Sequence, residues 1–118
     1  MKILLCCGAG MSSGFMAQRA RKAAKKMKID ISVEAHSHSD VCPYLSNVDI
    51  LMIGPHYAGE YEEFRRLAKP YHIPVCVISK EIYGNLDGEK LLKVAQEEIN
   101  NFKKNSMKED ENNELVSK

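Results

Sequence analysis

No apolar run in this 118-residue sequence approaches the roughly 20 residues that a membrane-spanning helix needs. The first run extends only from Ile3 to Cys7, and no cleavage-site pattern follows it, so a signal peptide is not expected and the chain reads as cytosolic. An excess of one charge is missing as well. Seventeen Lys and Arg stand against sixteen Asp and Glu, a net charge of +1, which gives no pull toward nucleic acid or a membrane surface. The four cysteines, Cys6, Cys7, Cys42 and Cys76, form no Cys-x-x-Cys pair, and in a reducing compartment all are expected to be thiols. Nucleotide fingerprints are incomplete. Gly8 and Gly10 give Gly-x-Gly, but Ser13 stands where the dinucleotide motif needs Gly or Ala, and no Gly-Lys-Ser/Thr follows.

What is present suits one packed domain. Hydrophobic residues make up 44% and charged residues 28% of the chain. Three continuous apolar runs, Ile3 to Cys7, Ile50 to Ile53 and Pro74 to Ile78, suit central strands buried on both faces. The alternating stretch Ile29 to Ala35 suits an edge strand with one wet face. Phe15, Met16, Ala20, Ala23, Ala24 and Met27 recur at helical spacing, with Ser12 or Ser13 available as a cap. Tyr61, Phe64, Leu67 and Ala68 form a second stripe within Ala58 to Lys69. Leu91, Leu92, Val94, Ala95, Ile99 and Phe102 form a third, in a helix opened by Asp87 or Gly88. Ser37 to Val48 fits either a short helix or a turn around Cys42-Pro43-Tyr44-Leu45. Strands alternating with helices predict an α/β fold, a small doubly wound, flavodoxin-like sandwich with a four-stranded parallel sheet and helices on both faces. Residues 1–104 make the domain, and the polar stretch 105–118, which lacks apolar periodicity, is expected to be a disordered tail.

In open α/β sheets ligands bind at the carboxyl ends of strands. Here the first strand runs into Cys7-Gly8-Ala9-Gly10-Met11-Ser12-Ser13-Gly14. Glycines let successive backbone N–H groups turn inward as an anion-binding nest, and the following helix adds its free amides and positive dipole end. The same field favours a thiolate, the nucleophilic form of cysteine. Neighbours on a strand point to opposite faces, so Cys6 is expected in the core and Cys7 in the loop. A strained vicinal Cys6–Cys7 disulfide is a poor alternative. Small cysteine phosphatases place a cysteine similarly, but their loop needs an arginine six positions later. Ser13 stands there, and the first arginine is Arg19. A loop that binds phosphate without that clamp favours a phosphoryl carrier over a hydrolase.

The loop and a second motif together resemble the IIB component of the lactose/cellobiose/chitobiose-type sugar phosphotransferase system. The resemblance runs from Met1 to about Lys104. It rests on Cys7 with Gly8-Ala9-Gly10-Met11-Ser12, on Gly54-Pro55 after the third strand, and on Tyr83-Gly84-Asn85-Leu86-Asp87-Gly88 before the last helix. Relatives often carry Gln after the Gly-Pro, where this chain has His56. The resemblance implies a cytoplasmic phosphotransferase. Cys7 would take a phosphoryl group from phosphohistidine on a IIA partner and pass it to a β-glucoside or disaccharide-type sugar bound by the membrane IIC permease. Phosphoryl transfer needs in-line positioning and charge stabilisation more than acid–base groups. The amides of Gly8, Ala9, Gly10, Met11, Ser12 and Ser13 are suited to supply both, with no metal or cofactor. The alternatives are a low-molecular-weight cysteine phosphatase or arsenate-reductase-like enzyme, and a non-catalytic anion sensor of the same fold.

Four further features stand out. His56, Tyr83 and Asp87 are candidates to line the site, although Asp87 reads equally well as a helix cap. His36, His38 and Cys42 give a His-x-His-x-x-x-Cys pattern, looser than a zinc motif and more simply read as a polar loop. The helix after the loop carries Arg19, Arg21, Lys22, Lys25, Lys26 and Lys28 with no acidic residue between Gly8 and Ile29. This is a solvated face or a flank that steers acidic partners. Cys76, inside an apolar run, reads as a small hydrophobe.

Overall fold

Ile3, Leu4, Leu5 and Cys6 are all inaccessible to solvent, as a continuous apolar run requires, because both alternating sets of its side chains must find cover. The computed structural model describes residues 1–6, 11–37 and 40–116, and only the backbone of 11–13 and 105–116. Four parallel strands, β1 (Lys2–Cys6), β2 (Ser32–His36), β3 (Ile50–Ile53) and β4 (Val75–Val77), stand in the order β2-β1-β3-β4. The helices are α1 (Met11–Met27), α2 (Tyr61–Ala68), α3 (Lys80–Asn85) and α4 (Gly88–Val116). Short 3-10 helices cover Cys42–Asn47, Pro55–Glu60 and Lys69–Tyr71.

The strand pleat sorts the core into two layers. Ile3 and Leu5 of β1, with Ile50 and Met52 of β3, pack under Met16, Ala20 and Ala24 of α1 and Leu91, Leu92 and Ala95 of α4. Leu4 and Cys6, with Leu51 and Ile53, pack under Leu45, Phe64 and Ala68 on the opposite face. The expected doubly wound sandwich is therefore present, and Cys6 is a core residue as predicted.

The structure departs from expectation in five places. Strand β4 lies at the sheet edge rather than the centre, and Cys76 and Val77 are only partly covered. Phe15 is 55% exposed; the covered stripe of α1 is set by Met16, Ala17 and Ala20, and Phe15 lies about 100° round the helix from Met16. Strand β2 starts only at Ser32 because Lys28 and Ile29 are taken up in closing the end of α1. Lys28 takes a left-handed conformation (φ 57°), and the N–H groups of Lys28 and Ile29 donate to the carbonyls of Lys25 and Ala24, closing the helix in a Schellman arrangement. Helix α3 was not anticipated. Ser79 caps it by accepting from the Ile82 N–H at 3.1 Å. Finally, α4 continues past Lys104, where the domain was expected to give way to a disordered tail. No glycine or proline follows Gly88 to stop it, and each added residue gains a backbone hydrogen bond once a helix is nucleated.

At Gly88 the backbone of α4 lies close against that of α1. A Cβ there would stand 2.4 Å from the Arg19 carbonyl oxygen and 2.8 Å from the Ala20 nitrogen, both backbone atoms. Gly88→Ala must push the helices apart, and the expected loss is about 1–3 kcal/mol in urea unfolding despite the better helix propensity of alanine. A stabilised variant would contradict this packing.

Candidate functional site

The carboxyl end of the sheet is built from the ends of β1, β3 and β4. Strand β1 ends at Cys6, and α1 begins at Met11. Cys7, Gly8, Ala9 and Gly10, and the side chains of Met11, Ser12 and Ser13, lie outside the described residues; the backbone of Met11, Ser12 and Ser13 forms the first turn of α1. The strand ladder continues beyond β3, where the Gly54 N–H donates to the Cys6 carbonyl at 2.9 Å. Gly54 then caps the 3-10 helix that starts with Pro55, a residue that has no N–H to lose there. On the far side, the Ile78 N–H donates to the Ile53 carbonyl at 2.8 Å and leads into Ser79 and α3.

Two of the three predicted lining residues meet at this edge. The exposed His56 ring folds back over Gly54, with its Cε1 2.7 Å from where a Cβ on that glycine would stand. The Tyr83 ring meets His56 edge-on, centroids 5.8 Å apart, and the Tyr57 ring lies tilted to it at 5.0 Å. Tyr57 in turn contacts Phe64 of the core. No local pattern distinguishes Tyr57, because its role depends on the turn that brings it back onto β3. Asp87 goes elsewhere. Its carboxylate accepts from the Lys90 N–H at 3.2 Å as the cap of α4. Its neighbour Gly88 packs on Arg19, about 12 Å of helix rise from Met11. Tyr83-Gly84-Asn85-Leu86-Asp87-Gly88 is thus mostly a helix-to-helix corner, with Leu86 left-handed (φ 50°), and only Tyr83 reaches the sheet edge.

The basic residues of α1 divide. Arg21 donates to the Val33 carbonyl at 2.8 Å and ties α1 to β2, and Lys26 pairs with Glu89 of α4 at 3.4 Å. Arg19, Lys22 and Lys26 line an open groove of about 360 Å³ with Asp87 and Glu89. Its mixed charge gives it no single preference for anions. His36 stacks on Tyr44, centroids 3.7 Å apart, and lies 3.5 Å from Glu34, while His38 is outside the described residues. Among the described residues no three His, Cys, Asp or Glu side chains converge on one point, and no helix is long and apolar enough to cross a membrane.

The described thiols differ in reactivity. Burial, with Glu98 adding a smaller effect, pushes the Cys76 thiol up to about 11. At pH 8 only about a thousandth of it is thiolate. Cys42 is exposed. Iodoacetamide at pH 8, followed by peptide mass analysis, is expected to label Cys42 promptly and Cys76 at least ~100-fold more slowly, since only thiolate reacts. Equal rates would contradict this.

Comparison with known proteins agrees with this architecture. The family model described as PTS system, Lactose/Cellobiose specific IIB subunit matches residues 2–94. The chain is 31% identical over 103 residues to the PTS system galactose-specific EIIB component of Lactococcus lactis subsp. cremoris, covering 83% of this chain and 95% of that protein. Identity and coverage are the same for the PTS system cellobiose-specific EIIB component of Lactococcus lactis subsp. lactis. Among solved structures, the cellobiose-specific phosphotransferase IIB component protein from Borrelia burgdorferi superposes with a TM-score of 0.71 at 34% identity, covering 86% of this chain and 93% of that one. The lactose-specific IIB component domain from Streptococcus pneumoniae superposes with a TM-score of 0.76 over 83% of this chain and 96% of that one, and at 17% identity it speaks for the fold alone. A match to nearly the whole folded body, in sequence and in fold, shows that the chain belongs to the lactose/cellobiose-specific IIB subunit family of the sugar phosphotransferase system.

Proposed function

We propose that this IIB protein carries phosphate as S-phosphocysteine on Cys7, in the cytoplasm. The group arrives from phosphohistidine on a IIA partner and leaves to a hydroxyl of a β-glucoside or disaccharide-type sugar held by a membrane IIC permease. The carrying observation is the placement of the segment's two ends. A central strand, buried from Ile3 onward, stops at Cys6, and a long helix starts at Met11. Cys7-Gly8-Ala9-Gly10 therefore joins the carboxyl end of a central strand to a helix N-terminus, where free amides and the helix dipole favour anions.

The steps balance without a further reactant. In the first, the Cys7 thiol gives up its proton, a new S–P bond forms, the N–P bond of the donor breaks, and the departing imidazole takes up a proton. In the second, a sugar O–P bond forms as the S–P bond breaks, the hydroxyl proton is released, and the thiolate returns. The amides from Gly8 to Ser13 neutralise charge on the phosphoryl oxygens in both steps.

Intact-mass analysis tests the proposal. With phosphoenolpyruvate, the general phosphotransfer proteins and a IIA protein, the chain is expected to gain the mass of one phosphate. A chain that instead turns over p-nitrophenyl phosphate is a phosphatase. One that binds inorganic phosphate with no covalent adduct is an anion sensor. Either result overturns the carrier reading.

A further inference from the structure

We propose that the exposed stripe Phe15, Arg19, Lys22 and Lys26 of α1 is the docking face for an acidic helix of the IIA phosphodonor. The choice of IIA rests on the carrier reading, whereas the stripe itself does not. The packing of the domain leaves two features of α1 without a purpose. Phe15 is 55% exposed. No acidic residue stands between Gly8 and Ile29. At 100° per residue, Phe15, Arg19, Lys22 and Lys26 fall within an arc of about 60° and extend about 16 Å along the helix. The remaining cations lie off this line. Arg21 is tied to the Val33 carbonyl, Lys25 is about 80° round from Phe15, and Lys28 is past the end of α1.

The stripe has positive charge to spare. Arg19 and Lys22 form no ion pair among the described residues. Lys26 pairs with Glu89, but both side chains are well exposed, and such a pair contributes little and can be exchanged for another. Asp87, which borders the same groove, is engaged as the cap of α4. The acids of the groove are therefore occupied and two cations of α1 are not. The groove is concave and has Ala23 and Leu86 in its lining. A narrow, part-apolar, basic surface of this length suits about three turns of a helix with acids at i, i+4 and i+7 and an apolar group against Phe15. A lipid surface is flat and would meet only the rim of such a groove, which favours a protein. Exposed complementary charge gives fast, salt-sensitive association, and that suits a relay protein that must release its donor after each transfer.

Calorimetric titration of the full chain with unphosphorylated IIA protein tests the docking apart from any transfer step. Arg19→Glu combined with Lys22→Glu is expected to weaken binding about tenfold or more at about 50 mM salt, and much less at about 500 mM, where exposed charges are screened. Phe15→Ala is expected to weaken it about tenfold at both, as loss of an aromatic anchor does. Arg66→Glu combined with Lys69→Glu makes the same change in net charge at exposed positions of the α2 layer, on the opposite face of the sheet, and is expected to bind as wild type does. Equal losses in the two charge reversals would reflect net charge alone and overturn the stripe. Unchanged affinity in the α1 variants, or no binding by wild type, overturns it as well. So does binding to phosphatidylglycerol vesicles in place of IIA, abolished by the same α1 reversal, which would assign the stripe to a membrane. Phosphate uptake decides the carrier reading separately. A chain that gains phosphate but docks elsewhere keeps the carrier role and loses the stripe. A chain that docks through the stripe and gains no phosphate loses the carrier role alone.

Discussion

Cys7→Ser is expected to abolish phosphoryl uptake while leaving the unfolding midpoint in urea unchanged, and Cys6→Ser is expected to do the reverse. The two residues are adjacent, but Cys6 ends β1 inside the core and Cys7 is the proposed carrier. Cys6 is inaccessible and lies among Leu4, Val41, Leu45, Ile53 and Phe64. A hydroxyl there enters an apolar layer, at a cost of about 1–3 kcal/mol. The folded fraction should still accept phosphate at the wild-type level. At position 7 the chemistry is lost instead. An unperturbed thiol is already a few per cent thiolate at pH 7, and the amide nest proposed for the carrier would raise that fraction further. A serine hydroxyl is not ionised under those conditions, so no added mass is expected above background. Phosphorylation that persists in Cys7→Ser and vanishes in stable Cys6→Ser would mean that the other thiol is the carrier.

Phe64→Ala should be the most destabilising single truncation in the chain. Phe64 is wholly inaccessible and heads the fully buried side chains by volume. From α2 it packs on Leu4, Cys6, Leu51 and Ile53, covering the sheet face opposite α1 and α4, and its ring meets Tyr57 at a centroid distance of 5.8 Å. Removing it costs the transfer of the ring and leaves a cavity, about 3–5 kcal/mol together. That is a large share of the roughly 5–15 kcal/mol a domain has in total. Urea unfolding should show a lower midpoint at an unchanged slope. Phe15→Ala is the control: with Phe15 more than half exposed, the change should stay within about 0.5 kcal/mol. A loss below 1 kcal/mol at Phe64 would mean that α2 does not seal that layer.

Phe15 and Phe64 also mark how far periodicity reads. Both fall on apolar stripes at helical spacing, and only one is buried. A stripe tells which side of a helix is apolar, and the neighbouring element decides where its edge falls. In α1 the alanines set a narrow seam against α4 and leave Phe15 outside it. The same limit explains β4. Pro74 to Ile78 is as apolar as the inner runs, yet among the described residues no strand lies beyond β4, and Cys76 and Val77 remain partly open. Helix α3 and the reach of α4 to Val116 were missed because both lie in polar sequence, where a Ser79 cap or the absence of a helix breaker carries little weight until neighbours are known.

The order of the four strands with α1, α2 and α4, the core position of Cys6 and the kinship with lactose/cellobiose-type IIB subunits were determined by the sequence alone. Each depends on residues close together in the chain, where alternation, helical spacing and short motifs act. Only the tertiary structure decided that Asp87 caps α4 rather than joining the sheet edge, and that His56 lies over Gly54 against Tyr83. Those placements depend on the pairing of β1 with β3 and on where α3 starts after β4, and such geometry exists only once distant segments have packed.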